Sequence, residues 1–380
     1  MALPHKEVGP CGTRYCVARN RRAAKNNTVY APEVRHASAP DHSATYTVLF
    51  DFFFIYVPRE TVSNMCLYTK YILNRKYMYT KKNQGNVPEC KDERLRYVPT
   101  KCGKCIECRK EKARNWRVRL AEELKNNPNA LFITLTVSEE NYQKLSWELF
   151  KKNKEDLNYT EQNEMCKVAV RRWLERIRKR TGRSIKHWMV TEKGEDYGRI
   201  HLHGIVWCAK ERIDQWGYGY TYIGDYVNQK TIAYVTKYML KTCEKWPDFR
   251  GKVMCSAGIG CNYETSYNAK RNAYRGKETK ETYKLENGSE LPLPKYYHDK
   301  IYTEEEREKL WIIKQERGYR YIAGEKVSTD NLEEWDNLTK YYQKRAEQLY
   351  GDNPEDWERE KTKARLEKMR LARLKYQKSR

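Results

Sequence analysis

The sequence has no uninterrupted apolar run long enough to cross a lipid bilayer. The nearest candidate, residues 47–57, is short and carries Asp51. Its surroundings also lack the charged, apolar and cleavage-site order of a secretory signal. We therefore expect a protein that has no membrane partner.

Two further features are missing from the sequence. It contains no Gly-x-x-x-x-Gly-Lys-Ser/Thr loop and no internal repeat. The first absence excludes the common phosphate-binding loop, and the second excludes a solenoid of stacked repeats. The 380 residues are enough for one large domain or two ordinary ones with a sizeable core.

Acidic residues are few relative to basic ones. The chain has 75 Lys and Arg against 51 Asp and Glu, which gives a formal net charge of +24. Such a balance indicates a polyanionic partner, and nucleic acid is the first candidate. The 31 Tyr and 10 Trp residues add to this, because aromatic rings among cations suit stacking on unpaired bases.

Changes in composition along the chain predict four regions. Residues 1–64 have the texture of a disordered extension, and Met65 is the expected natural start. A basic segment with several cysteines follows at 65–125, and a core of mixed strands and helices is expected at 126–260. Residues 261–380 are expected to be charged and mainly helical. They end in a basic tail at 361–380, which we expect to be a solvated helix or a disordered end.

The cysteines are clustered, and this favours a metal site or free thiols in a reducing cytoplasm over disulfides. Cys102, Cys105 and Cys108 follow a Cys-x-x-Cys-x-x-Cys pattern, and Cys90 lies twelve positions before the first of them. Three such thiolates can chelate one Zn²⁺, with Cys90 as the expected fourth ligand and Cys66 as the alternative. A set of reduced, metal-free cysteines remains open. The surrounding Arg and Lys residues disfavour an iron–sulfur cluster.

A basic helix is expected directly after the cysteines, at residues 109–124. It is either a solvated face or a surface that binds the DNA backbone. The candidate DNA-binding residues are Arg109, Lys110, Arg114 and Arg117.

The core region carries the clearest patterns of regular structure. Dense β-branched residues at 130–137 predict a buried strand, and apolar residues at helical spacing predict a helix over 166–182. The turn between two further strands, at 185–194 and 199–207, is short, so these strands should form an antiparallel hairpin. A last helix is expected at 228–243.

Two histidines stand one residue apart in the second hairpin strand, within "GRIHLHGIVW". Because side chains alternate in a strand, His201 and His203 must project from the same side, about 6.5–7 Å apart. They are either polar residues on a solvent face or half of a metal coordination shell.

An acidic residue ends the first hairpin strand. Glu192 can reach the same edge as the two imidazoles, and Glu195 within the turn is an alternative ligand. Two imidazoles and one carboxylate with open positions would suit a divalent cation such as Mg²⁺ or Mn²⁺ that also holds a substrate oxygen.

The last helix places two phenols and two ammonium groups on one face. The residues at positions i, i+3, i+4 and i+7 are Tyr234, Lys237, Tyr238 and Lys241. They are either flankers on an amphipathic helix or catalytic groups. A cation beside a phenol lowers the pKa of that phenol and neutralises a phosphate, which a tyrosine nucleophile requires.

These segments together resemble a known family. "HLHG" is similar to the His-hydrophobic-His motif of HUH endonucleases, the rolling-circle replication initiators, and "FITLT" resembles their first motif. "YVTKYMLK" resembles the double-tyrosine motif of initiators from small single-stranded DNA phages, the Microviridae. "YVPTKCGKCIECRKEKARNWRVRL" and "KIYTEEEREKLW" resemble the gokushovirus-like branch. The resemblance runs from about residue 65 to about residue 350, and Ile200 replaces the usual proline before the first histidine.

The resemblance implies an α+β HUH endonuclease fold, with a central antiparallel sheet flanked by helices. It implies nicking of a single-stranded phage origin through a 5′-phosphotyrosine link in the host bacterial cytoplasm. Tyr234 and Tyr238 would alternate as nucleophiles with help from Lys237 and Lys241, and His201, His203 and Glu192 would hold the metal. Without a phosphate-binding loop, the protein would depend on a host helicase, and a host DNA polymerase would extend the freed 3′-hydroxyl.

Other functions are compatible with the same residues. The chain could instead bind nucleic acid through a zinc-stabilised cysteine segment without catalysis, in which case HLHG is structural. Replacing Cys102 and Cys105, compared with replacing His201 and His203, separates the two hypotheses. A relaxase or transposase within the same superfamily is disfavoured by the double-tyrosine spacing and by the absence of further domains.

Overall fold

The computed structural model describes residues 66–81, 83–153, 159–195, 197–213, 215–242, 245–246, 249–354 and 357–379. The extension expected at residues 1–64 lies outside the described residues. No helix in the described part of the chain is both long and apolar enough to serve as a membrane span.

The described residues alternate between helices and short strands. The helices are α1 (Ile106–Asn126), α2 (Glu139–Asn153), α3 (Tyr159–Thr181), α4 (Gln229–Lys237), α5 (Lys295–Ile301), α6 (Glu304–Glu316), α7 (Leu332–Tyr350) and α8 (Arg359–Lys378). The strands of the central region are β3 (Leu131–Thr136), β4 (Lys186–Lys193), β5 (Ile200–Trp207), β6 (Thr221–Ile223) and β7 (Val253–Cys255). The peripheral strands are β1 (Lys70–Leu73), β2 (Tyr97–Thr100), β8 (Thr282–Lys284), β9 (Glu290–Pro292), β10 (Tyr319–Ile322) and β11 (Glu325–Ser328).

Five strands form one antiparallel sheet in the order β6-β3-β5-β4-β7. β4 and β5 pair along their whole length, which confirms the predicted hairpin. A Cβ atom at Gly204 in β5 would lie 2.5 Å from the carbonyl oxygen of Trp188. Glycine is therefore required after His203 for β4 to approach this closely.

The two faces of the sheet pack against different helices. Leu202 and Met189 lie on one face and pack against α3 around Trp173. Trp188 and Ile205 lie on the opposite face, in a cluster that includes residues of α1 and α4. The α+β architecture with an antiparallel sheet flanked by helices is thus confirmed.

A third cluster joins the two ends of the described chain. β1 pairs with β2, β10 pairs with β11, and α7 and α8 pack beside them. Buried residues of this cluster come from both ends of the sequence, and they include Leu67, Ile106, Val327, Trp335 and Leu366. The cysteine-containing segment and the C-terminal region therefore share one core.

The basic tail is a packed helix, so the expectation of a solvated or disordered end is wrong for its described residues. Leu366 and Met369 of α8 are buried in the third cluster. Arg373 is also buried and donates hydrogen bonds to the Gln315 carbonyl oxygen and to Thr329 Oγ1. The basic composition of the tail hides a narrow apolar stripe.

Two leucines of α8 offer a direct test of this packing. Leu366→Ala removes a buried side chain and should lower the free energy of unfolding by about 2–5 kcal/mol. Leu371→Ala on the same helix is the control, because Leu371 is 53% exposed and its loss should change stability by about 0.5 kcal/mol or less. Urea denaturation measures both. Equal effects of the two substitutions would show that α8 does not pack as described.

Candidate active site

The β4–β5 hairpin brings both histidines and one carboxylate to the same sheet face. Glu192 lies directly opposite His201 in the register, and Thr134 of β3 lies opposite His203. The two imidazole rings are nearly parallel at 12°, with their centroids 6.3 Å apart. This spacing follows from strand alternation, as the sequence predicts.

His203 is the better fixed of the two histidines. Its ring is buried, its Nε2 hydrogen-bonds Glu192 Oε2 at 2.7 Å, and its Nδ1 pairs with Thr134 Oγ1 at 3.1 Å. These two contacts on opposite sides of the ring hold the imidazole in one orientation. His201 is half-buried, and burial lowers the pKa of its imidazole, which favours the neutral form with a free lone pair.

Glu192 is shared between an imidazole and an ammonium group. Its second carboxylate oxygen accepts a hydrogen bond from Lys241 Nζ. Burial opposes ionisation of this carboxyl, but the hydrogen bonds from His203 and Lys241 outweigh burial, so the pKa of Glu192 lies below its usual value. Glu195, the alternative ligand, is exposed and pairs with Lys241 at 3.2 Å.

The tyrosine helix is shorter than the expected span of 228–243. Asn228 caps α4 through a reciprocal capping box with Thr231. α4 ends at Lys237, and the amides that follow bond three residues back, Met239 to Thr236 and Leu240 to Lys237.

This early end corrects the prediction for Lys241. The residue does not share a helical face with the tyrosines, because it lies beyond the helix, where it reaches Glu192. Lys237 is exposed at the last position of α4. The catalytic assistance expected from both lysines stays a prediction.

The two phenols meet above His203. The Tyr238 ring stacks on the His203 imidazole at 4.0 Å between centroids and 5° between planes. The Tyr238 hydroxyl donates a hydrogen bond to the Tyr234 hydroxyl, and the two rings are 5.2 Å apart at 84°. Tyr234 is 46% exposed, so its hydroxyl is the more accessible of the two.

The expected lowering of the phenol pKa is wrong for Tyr238. Burial is the largest cause, and together with the hydrogen bond to Tyr234 it raises the pKa of the Tyr238 phenol. The ammonium group of Lys241 is engaged by Glu192 instead of by a phenol.

The sequence patterns did not identify the aromatic residues beside the tyrosines. Phe132 of β3 contacts Tyr234 edge-on at 6.1 Å and Tyr222 of β6 at 6.2 Å. Tyr222 lies opposite Thr134 and therefore in the same cross-strand row as His203. The alternating tyrosines of "GYGYTYIGDY" are the signal that could have identified this edge.

The basic helix α1 packs inward more than expected. Arg109 is buried, and its guanidinium pairs with Asp352 at 3.1 Å, an internal contact in place of the predicted contact with DNA. Lys110 pairs with Glu107 at 2.8 Å. Burial lowers the pKa of the Arg114 and Arg117 guanidinium groups. DNA contacts of Lys110, Arg114 and Arg117 stay predictions.

Four cysteines converge, but the fourth member is not the expected Cys90. The sulfur atoms of Cys66, Cys102, Cys105 and Cys108 all lie within 4.8 Å of one another, and the group can hold a metal ion such as zinc. Cys66 joins because β1 pairs with β2, which ends just before Cys102. The Cys90 thiol instead donates to the backbone oxygen of Asp92.

Comparisons with known proteins agree with the location of the histidine–tyrosine site. Residues 130–243 match a family of replication-associated proteins, the ORF2 family. The matched segment runs from β3 through α4 and includes both histidines, Glu192 and both tyrosines. No curated protein and no solved structure matches the chain. The match indicates a replication-associated protein, a class that binds DNA.

Proposed function

We propose that the protein is a rolling-circle replication initiator of the HUH endonuclease class that cleaves single-stranded DNA with a tyrosine nucleophile. One observation carries this proposal: the Tyr234 and Tyr238 hydroxyls meet over His203, whose imidazole is bound to Glu192. The arrangement lies within the segment that matches the replication-associated family.

The donor set fits a divalent cation. Two imidazoles and one carboxylate share one sheet face, and the Thr134 hydroxyl can orient the His203 ring through Nδ1. His201, His203 and Glu192 would hold Mg²⁺ or Mn²⁺, which supplies charge stabilisation at the scissile phosphate. Within the described part of the chain, only the four cysteines already form a compact metal-ligating group. The cation must therefore compete with Lys241 for Glu192.

The reaction is a transesterification at phosphorus. A tyrosine oxygen attacks the scissile phosphate, the bond from phosphorus to the 3′-oxygen breaks, and a 5′-phosphotyrosine link forms. The phenol loses its proton, and the departing 3′-oxygen gains one. The energy of the phosphodiester is retained in the new link, so a later attack by a 3′-hydroxyl can reseal the strand.

Two tyrosines allow a complete replication cycle. The more exposed Tyr234 is suited to the first cut, and Tyr238 is within hydrogen-bond reach of the same position. Tyr238 would then cut the regenerated origin, and the freed 3′-hydroxyl would close the displaced circle. The partners in this scheme are the single-stranded phage origin, a host helicase and a host DNA polymerase.

A covalent protein–DNA product tests the proposal. The full chain is mixed with single-stranded origin DNA and Mn²⁺, and denaturing electrophoresis separates the products. We expect a band of increased mass, and peptide mapping should place the phosphotyrosine at Tyr234 or Tyr238. Tight binding without any covalent product would instead support the non-enzymatic zinc-dependent nucleic-acid-binding protein.

The aromatic edge beside Tyr234 makes a separate prediction about binding. Tyr222 is 50% exposed in the row that contains His203, so its ring can stack on a base next to the scissile phosphate. Stacking contributes about 1–3 kcal/mol per base, so Tyr222→Ala should raise the Kd for single-stranded DNA by about 5–150-fold. Fluorescence anisotropy measures the change.

Tyr267→Ala is the matched control, because Tyr267 is 83% exposed and lies outside the sheet. Its loss should leave the Kd within about twofold. Equal weakening by the two substitutions would indicate a diffuse aromatic contribution and not a specific base contact at β6.

A further inference from the structure

The four converging cysteines belong to a different part of the fold from the histidine–tyrosine site. They lie in and beside the third hydrophobic cluster, with residues of β1, α1, α7 and α8. We infer that Cys66, Cys102, Cys105 and Cys108 bind one zinc ion as a closed structural site. This ion joins β1 to the start of α1 and completes the core that the two ends of the described chain share.

The sulfur–sulfur distances suit tetrahedral zinc. A Zn–S bond of about 2.3 Å in a tetrahedron places neighbouring sulfur atoms about 3.8 Å apart. The separations are 3.4 Å for Cys66–Cys102, 3.8 Å for Cys66–Cys105 and 3.9 Å for Cys102–Cys108. Disulfide bonding requires about 2.05 Å, and these cysteines are free thiols.

The local backbone is arranged to support thiolates. The amides of Tyr68 and Cys102 donate to Cys66 Sγ at 3.4 and 3.3 Å, and the amide of Cys105 donates to Cys102 Sγ at 3.3 Å. Such donors stabilise the negative charge of metal-bound sulfur. Gly103 has a φ of 75°, a conformation that favours glycine and turns the chain between Cys102 and Cys105.

The site is closed to substrate. Cys66, Cys105 and Cys108 are buried, and Cys102 is half-buried. Four cysteine ligands fill a tetrahedral shell and leave no open position, which is the pattern of structural zinc and not of catalytic zinc.

The position of the group explains why a metal is needed there. Residues 66–105 contain little regular structure beyond the short β1–β2 pair. Small regions of this kind commonly depend on a metal, because their hydrophobic core is insufficient. Zinc would close the long loop between Cys66 and Cys102 and fix the first turn of α1.

The same region holds the C-terminal helices. Asp352 accepts hydrogen bonds from the Ile106 amide at 2.5 Å and from Arg109 at 3.1 Å. Its backbone oxygen accepts the Tyr68 hydroxyl. Gln343 of α7 donates to the Leu67 carbonyl oxygen at 2.6 Å. Loss of zinc should therefore loosen residues 66–105 and weaken their contacts with α7 and α8.

Metal analysis of the full chain tests the ligand set. Protein purified without added metal should contain one zinc per chain by mass spectrometry, and Co²⁺ substitution should give the visible absorption of a tetrahedral thiolate site. Cys102→Ser and Cys66→Ser should lose the zinc. Cys90→Ser is the matched control and should retain it, because Cys90 lies outside the group. Loss of zinc in Cys90→Ser would overturn the assignment.

Wild-type protein keeps the inference falsifiable even where a cysteine variant fails to fold. Native chain that contains no zinc and has all four thiols open to alkylation would overturn the site, as would iron in place of zinc. Limited trypsin digestion tests the structural role. Removal of zinc should accelerate cleavage within residues 66–105 by about tenfold or more. An unchanged cleavage rate would contradict the structural role.

Discussion

His203→Ala is expected to reduce cleavage of a single-stranded origin oligonucleotide by about 10³-fold or more, while DNA affinity stays within a few fold. The substitution removes one proposed metal ligand, the partner of Glu192 and the ring on which Tyr238 stacks. Charge stabilisation by a metal contributes several kcal/mol to the transition state, and about 4 kcal/mol corresponds to 10³ in rate. Affinity depends mainly on phosphate contacts elsewhere.

Single-turnover cleavage with Mn²⁺ measures this effect, and filter binding measures affinity. His201→Ala should also abolish cleavage, because it removes the second imidazole. Either variant that still nicks DNA in the presence of EDTA would contradict the metal proposal. Unchanged thermal unfolding is required of both variants, so that loss of fold is not mistaken for loss of a ligand.

Thr134→Val separates orientation of His203 from ligation by His203. The substitution keeps the shape of the side chain and removes the hydroxyl that pairs with His203 Nδ1. Loss of such a supporting contact typically costs about 10–100-fold in metal affinity or activity. A partial loss that higher Mn²⁺ concentrations restore would identify Thr134 as a positioning residue. Full activity at low Mn²⁺ would show that the ring is held in other ways.

The sheet and the histidine pair could be predicted from the sequence because they depend on local rules. Strand alternation alone places His201 and His203 on one side, and a short turn alone pairs β4 with β5. The capping residue Asn228 likewise marks the start of α4. Each of these inferences uses residues that are close in the chain.

The wrong predictions involve contacts between residues distant in the chain. Cys66 joins the cysteine group only because β1 pairs with β2, and nothing near Cys66 in the sequence shows that pairing. Arg109 points inward only because Asp352 meets it there. The apolar stripe of α8 is masked by its charge, and the polar sequence of α2 gave no helical pattern that we recognised.

The environment of Tyr238 also required the structure. Helical periodicity brings Tyr238 near Tyr234, but it does not show that Tyr238 stacks on His203 and lies half-buried. Burial raises the pKa of this phenol, so proximity to lysines was a poor guide to its protonation. Tyr238 needs a change in its surroundings, such as arrival of the DNA phosphate, before it can act as a nucleophile.

The double variant Tyr234→Phe/Tyr238→Phe is expected to form no covalent protein–DNA product. Phenylalanine keeps each ring and its packing and removes only the hydroxyl oxygen that attacks phosphorus. Each single variant should retain some cleavage of a short oligonucleotide, because the two hydroxyls share one hydrogen bond and can approach the same phosphate. Tyr226→Phe is the control, since Tyr226 is 70% exposed and lies outside α4.

The single variants should differ in which step they impair. Tyr234→Phe removes the more exposed hydroxyl and the hydrogen-bond acceptor of Tyr238, so it should slow the first cut more than Tyr238→Phe. Release of closed single-stranded circles should need both tyrosines, because the second must cut the regenerated origin while the first remains linked to DNA. Electrophoresis of circular products over time separates these steps. If Tyr238→Phe released circles at the normal rate, Tyr238 would be a packing residue on His203 and Tyr234 the sole nucleophile.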